Sequence, residues 1–167
     1  MIQDILINLF YKHLVLSKIM KPILYSSEHS SDHRGTVFFI NDLDLSKVVR
    51  SYKVSNKQLK TVRAWHGHKE EEKWISVEKG KFLVCAVQID NFESPNKDSE
   101  VFTFTLTPES GMLHIPNNFA NGAMNLTEDN SIRYYSSLPL SDSIKDDFRF
   151  ESDFWNPWKT YSPNLYE

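Results

Sequence analysis

Residues Val101 to Thr107 alternate strictly between apolar and polar side chains, with Phe102, Phe104 and Leu106 on one face and Thr103, Thr105 and Thr107 on the other. A period of two is the pattern of a half-buried strand. Similar short segments recur from residue 35 onward. Thr36 to Ile40 is β-branched and aromatic and stops at the turn-forming pair Asn41-Asp42. Lys73 to Val77 and Lys81 to Ile89 flank Glu78-Lys79-Gly80, a three-residue connection with glycine that predicts a hairpin. Met112 to Ile115 closes at Pro116, Ser131 to Ser136 supplies a further strand, and the polar Asn91 to Glu100, with Pro95, reads as a loop. Strands at this spacing, without long helical periods or internal repeats, predict an all-β sandwich or small barrel.

The two ends depart from that pattern. Residues 1–19 hold Ile5, Leu6, Ile7, Leu9, Phe10, Leu14, Val15, Leu16 and Ile19, interrupted by Asp4, Lys12, His13 and Lys18. The interruptions leave no apolar run of membrane-spanning length, and the early charge is acidic, unlike a secretory signal. A short helical extension that packs on the body or on a partner subunit is expected, with Met20 as an alternative start and residues 20–167 as one domain. The tail from Ser141 mixes Asp142, Asp146, Asp147, Glu151 and Asp153 with Phe148, Phe150, Phe154, Trp155, Trp158 and Tyr161. That aperiodic mixture predicts an irregular lid or short helix over a sheet, with apolar weight enough for order.

Composition narrows the class. The chain has 167 residues, 40% hydrophobic and 13% aromatic, with a formal charge of −3. No basic field is available for nucleic acid. The lone Cys85 lies in an apolar run and reads as a buried small hydrophobe, which suits a reducing cytoplasm.

Candidate chemistry concentrates in Arg63-Ala64-Trp65-His66-Gly67-His68-Lys69-Glu70-Glu71-Glu72-Lys73. On an extended chain His66 and His68 share a face. The plain alternatives are a hydrogen-bonded barrel histidine for His66, a core aromatic for Tyr134, and a solvated member of the charged run for Lys73. His66-x-His68-x-x-x-Glu72 resembles the first motif of the cupin superfamily, a metal-binding pattern in many of its members. In the matching second motif, Gly111 to Asn121, the place of the third histidine is held by Asn121, and an amide oxygen is a poor substitute for imidazole. No metal is expected.

Three separated stretches carry a closer resemblance. Asp32-His33-Arg34-Gly35, Arg63-Ala64-Trp65-His66 and Ile115-Pro116-Asn117-Asn118-Phe119-Ala120-Asn121-Gly122 are similar to the Asp-x-Arg-Gly, Arg-Gly-x-His and Ile-Pro-x-x-Phe-Ala-His-Gly patterns of the dTDP-4-dehydrorhamnose 3,5-epimerase family. The spacing onward from Asn121 reaches Tyr134, where that family has its catalytic tyrosine. The resemblance implies a cupin-type double-stranded β-helix (jelly-roll) barrel, a homodimer, no cofactor, and a nucleotide-diphosphate sugar with a 4-keto-6-deoxy ring as substrate. By motif, His66 would be the base, Tyr134 the acid on the opposite face and Lys73 the stabiliser of an enolate oxygen. Arg63 and Arg34 would hold diphosphate. His68, Asn121, and Ser51 and Lys53 at the place of a Gln-x-Asn pattern are further substrate-binding candidates. Asn121 and Ala64 depart from the family's histidine and glycine, and no motif in the tail marks the carboxylate that the family pairs with its base.

The proposed chemistry is also sound on its own terms. A proton beside a ketone is a weak acid, so a base succeeds only where charge moving to oxygen meets a prepositioned donor or cation. Inversion then needs a donor on the other face. Two alternatives remain open: His66-Gly67-His68-Lys69 also resembles the His-Ala-His-Lys segment of nucleotide-sugar 3,4-ketoisomerases, and cupin barrels also serve as sugar-binding modules without activity.

Overall fold

A computed structural model of the protein describes residues 20–161; the expected N-terminal helix over residues 1–19 lies outside the described residues. Strands run in order as β1 (Ile23–Ser26), β2 (Glu28–Asp32), β3 (Gly35–Phe39), β4 (Arg50–Val54), β5 (Val62–His68) and β6 (Lys73–Lys79). They continue as β7 (Phe82–Gln88), β8 (Val101–Leu106), β9 (Gly111–Ile115), β10 (Phe119–Asn125), β11 (Ser131–Ser136) and β12 (Phe148–Arg149). A single helical turn, α1 (Leu140–Ser143), and a 3₁₀ turn (Pro157–Thr160) lie in the tail. Among the described residues no helix is long and apolar enough to cross a membrane.

The strands form two five-stranded sheets, ordered β1-β9-β6-β11-β4 and β12-β5-β10-β7-β8, and a separate β2-β3 ribbon. Neighbours pair antiparallel throughout. From β4 to β11 successive strands cross between the sheets, except that β7 and β8 are neighbours, and the result is the cupin-type jelly roll. This corrects the predicted hairpin over Glu78-Lys79-Gly80: β6 and β7 stay in register with different sheets, β6 with β9 and β11, β7 with β8 and β10. The connection is a corner between layers. Gly80 makes it with φ +73, where an added Cβ would fall 2.2 Å from the Asp129 carbonyl oxygen.

Burial explains why β7 shows no alternation. Phe82, Val84 and Ala86 pack between the sheets with Ile75, Val77, Leu113, Ile115, Phe119 and Ile132. Leu83, Cys85 and Val87 pack on the outer face under Trp65, Trp155 and Trp158. A strand covered on both sides reads as a continuous apolar run. The cover is the tail, whose Phe150 and Phe154 also sit against this cluster and whose Trp155 carbonyl accepts a 3.0 Å bond from the Trp65 indole. At about 25 cal/mol per Å2 of apolar surface, each such aromatic contributes on the order of 2–3 kcal/mol. The tail is therefore an ordered wall, as its composition predicted, and it brings residues 140–149 back onto β5.

Candidate active site

Strands β4, β5, β6, β10 and β11 and the segment 140–149 surround a cavity of about 320 Å3. Its lining includes Arg50, Tyr52, Arg63, His66, His68, Lys73, Asn121, Tyr134, Asp147 and Arg149. His66 and His68 reach it by the two-residue period of β5. Arg63, three positions before His66, would face away under strict alternation. The pairing of β5 with β10 slips between Asn121↔His66 and Ala123↔Arg63, so three residues of β5 are spanned by two of β10. That bulge turns Arg63 onto the cavity face. Gly122 permits the close approach, since a Cβ there would meet the Ala64 Cβ at 2.5 Å.

The two histidines are held differently. His68 Nδ1 donates to the Asp146 carbonyl at 2.8 Å and lies 3.2 Å from Glu71 Oε2. Both neighbours are acceptors, so the proton sits on Nδ1 and the lone pair on Nε2. His66 Nδ1 faces Asp147 Oδ1 at 3.8 Å, and that buried oxygen has no hydrogen-bond partner among the described residues. His66 Nε2 accepts from Arg149 Nη1 at 3.2 Å. Burial, reinforced by the Arg149 charge, holds the His66 imidazole down to about 4. His68 is lowered as well, first by burial and then by Lys73. Both rings are neutral at ordinary pH.

Lys73 is buried rather than solvated. Its ammonium lies 2.7 Å from Glu71 Oε1, and burial lowers its pKa against that attraction. Glu71, with no exposed side-chain surface, also accepts from Arg50 at 3.0 Å, from Ser143 at 2.8 Å, and from Ser136. Burial works against its carboxylate, but Lys73 and the serine bonds outweigh it and keep it ionised. Asp146 fastens the same turn, accepting the backbone N–H groups of Lys69, Glu70 and Glu71 at 2.8–2.9 Å.

Tyr134 enters from β11, in the sheet opposite β5. Its ring stacks on Tyr52 at 5.1 Å between centroids, and burial raises the pKa of its hydroxyl, which stays protonated. Asn121 also lines the cavity, and its Nδ2 donates one bond to the His66 carbonyl at 3.0 Å.

Three expected residues lie elsewhere. Ser51 and Lys53 point out of the barrel, Lys53 toward Glu78 at 3.9 Å, because β4 pairs with β11 through Tyr52↔Tyr134 and that register sends Arg50, Tyr52 and Val54 inward. Arg34 sits at the exposed tip of the β2-β3 ribbon, paired with Asp32 at 2.6 Å, and does not line this cavity. Glu72 of the cupin-like pattern is turned to Lys47 and His114, at 2.6 and 2.8 Å. Among the described residues no three His, Cys, Asp or Glu side chains are arranged to hold a metal. Arg50, Tyr52, Glu71, Asp147 and Arg149 were not anticipated. The half-apolar Tyr52 and Val54 against polar Ser51 and Lys53 held the signal for the inward face of β4; nothing in the aperiodic tail marked Asp147 or Arg149.

The chemistry available is proton transfer from two sides in a cationic cavity. The chain is similar to a dTDP-4-dehydrorhamnose 3,5-epimerase from Bacillus anthracis solved with TDP and pyrophosphate, at 18% identity and TM-score 0.66 over 86% of this chain and 88% of that one. A 3,4-ketoisomerase from Helicobacter canadensis aligns at 16% identity and TM-score 0.62 over 84% and 98%. A dTDP-4-dehydrorhamnose 3,5-epimerase from Sulfolobus tokodaii aligns at 26% identity and TM-score 0.62 over 81% and 80%. No curated protein matches the chain. With the family match extending over residues 17–152, across every strand that builds the cavity, the chain belongs to the dTDP-4-dehydrorhamnose 3,5-epimerase family.

Proposed function

We propose that this protein is a cytoplasmic homodimeric epimerase that inverts C3, C5 or both in a nucleotide-linked 4-keto-6-deoxy sugar, as a step in deoxysugar or surface-polysaccharide synthesis. The observation that carries the reading is the entry of His66 and Tyr134 into one cavity from opposite sheets. His66 Nε2 takes the proton from the carbon beside the ketone, and the electron pair moves to the ketone oxygen as an enolate. Lys73 supplies the adjacent positive charge. Asp147 Oδ1, unpaired and facing His66 Nδ1, stabilises the imidazolium as it forms; such bonds are often long before substrate binds. The Tyr134 hydroxyl then delivers a proton to the same carbon from the other face; solvent takes up the proton held on His66 and returns one to the tyrosinate. Arg63 holds diphosphate at the cavity mouth, and Arg34 serves the same group in the partner subunit.

A 3,4-ketoisomerase is the second reading, favoured by one feature: His68 lines the same cavity with its Nε2 lone pair uncommitted. Incubation with a nucleotide-linked 4-keto-6-deoxyglucose in D2O, followed by NMR, separates the two. Deuterium at C3 or C5 with inverted configuration supports epimerisation, and a carbonyl moved to C3 supports ketoisomerisation. Binding without exchange makes the barrel a sugar-binding module. A His66→Asn variant that exchanged as fast as wild type would remove the proposed base.

A further inference from the structure

The lone pair that proton abstraction requires is not free in this structure. A guanidinium only donates, so the 3.2 Å contact from Arg149 Nη1 occupies His66 Nε2. Arg149 sits directly across from His66 in the β12-β5 pairing, and its Nε and Nη2 both rest on Asp147 Oδ2, at 2.8 and 2.6 Å. One arginine therefore covers the base and holds the carboxylate that would assist it.

The charges around the cavity indicate what can draw it away. Arg50 and Lys73 are spoken for by Glu71. Arg63 has the neutral partner Asn56, and Arg149 shares a single carboxylate with its side chain 62% exposed. Among the described residues that line the cavity, Arg63 and Arg149 are thus the cations available to an incoming anion. A bond from guanidinium to neutral imidazole at this length is weak, whereas a phosphate oxygen offers shorter, charge-assisted and bidentate bonding. We propose that Arg149 is a substrate-responsive cap on His66: it occupies the base in the free protein and transfers to a diphosphate oxygen when substrate binds, uncovering Nε2 and releasing Asp147 to the ring. The proposal rests on the reading of the cavity as a nucleotide-diphosphate sugar site. Arg149 acts on proton transfer through His66 and on binding through the diphosphate.

The groups facing the His66 ring are Asp147 and Arg149 from the tail, His68 on β5 and Lys73 on β6. Removing Arg149 takes away a cation and leaves the others. NMR of full-length protein labelled with 15N-histidine reads the consequence without turnover. In Arg149→Met the His66 midpoint is expected to rise by about one pH unit, and Arg149→Lys, which keeps the charge, is expected to restore a low value. TDP added to wild type should raise the midpoint, and should raise it much less in Arg149→Met, which binds TDP about tenfold more weakly on loss of one charge-assisted contact. An unchanged His66 midpoint in Arg149→Met, or an equal response to TDP in both proteins, overturns the cap. Proton exchange from the ketosugar alongside that result leaves the epimerase reading standing. The NMR shifts without any exchange leave the cap standing and remove the reading.

Discussion

Glu71 is a single buried carboxylate facing two cations, Lys73 and Arg50, with Ser136 and Ser143 donating to it and His68 Nδ1 beside it. Truncating one member of such a cluster leaves buried charge uncompensated, so Glu71→Gln should lower unfolding free energy by about 3 kcal/mol in urea titrations. Pairing it with Lys73→Met should recover part of the loss, because one stranded cation is gone. His66 gives a second expectation, in pH. Its folded value of about 4 lies below the ordinary 6.5, so the unfolded chain takes up a proton first as pH falls. Stability should therefore drop between pH 6.5 and about 4 and level off below that window. His68, lowered in the same direction, adds to the slope. Urea midpoints of wild type and His66→Gln across this range check the sign: wild type should lose stability more steeply. In kcat/KM, which reports the free enzyme, the acid limb assigned to His66 should fall well below the usual histidine range.

At the scale of the element, position depends on register, and register depends on partners far away in sequence. Arg63 reaches the cavity through the β5 bulge and is steadied by Asn56, whose Oδ1 accepts from Arg63 Nε at 2.8 Å. Asn56 is itself fixed by Asn125 at 3.1 Å and by reciprocal bonds to Asn130 at 2.8 and 3.0 Å. Asn56→Ala should loosen Arg63, the proposed diphosphate ligand, without touching the proton-transfer groups, raising KM for the nucleotide sugar about tenfold with kcat little changed. A matching fall in kcat would show Asn56 serving more than Arg63. The same dependence explains what could be anticipated from sequence. His66 and His68 were legible because spacing within one strand puts them on one face, and Tyr134 because the family resemblance carries forward from Asn121 to its position. Ser51 and Lys53, substrate-binding candidates through their place at the Gln-x-Asn pattern, point out of the barrel, because the parity of β4 is set by the pairing of Tyr52 with Tyr134. Asp147 and Arg149 were invisible since a two-residue strand in an aperiodic tail carries no pattern, and its partner on β5 lies some eighty residues upstream. The predicted hairpin at Gly80 failed for a related reason: local turn chemistry is the same whether a chain doubles back in its own sheet or crosses to the next.

At the scale of the whole molecule the β2-β3 ribbon stands apart from both sheets, and its exposed Val37 and Phe38 lie 65% and 49% open. A two-stranded ribbon is marginal alone, and exposed apolar side chains on β3 suit cover by a second copy. Its tip carries Arg34, the one arginine of the family-like motifs that does not reach the cavity of its own chain. The proposed homodimer, with each ribbon serving the other subunit's cavity, would account for both facts, and symmetry makes it testable. Arg34→Ala and His66→Asn should each be strongly impaired. Mixed in equal amounts under conditions that exchange subunits, half the dimers are hybrid, and each hybrid holds one cavity with both an intact His66 and an intact Arg34 from its partner. Recovery of about a quarter of wild-type turnover is expected from two-fold closure. If Arg34 acts within its own subunit, the hybrid contains one cavity lacking each residue, and mixing restores nothing. Sedimentation of the mixture distinguishes that outcome from a failure of the chains to associate.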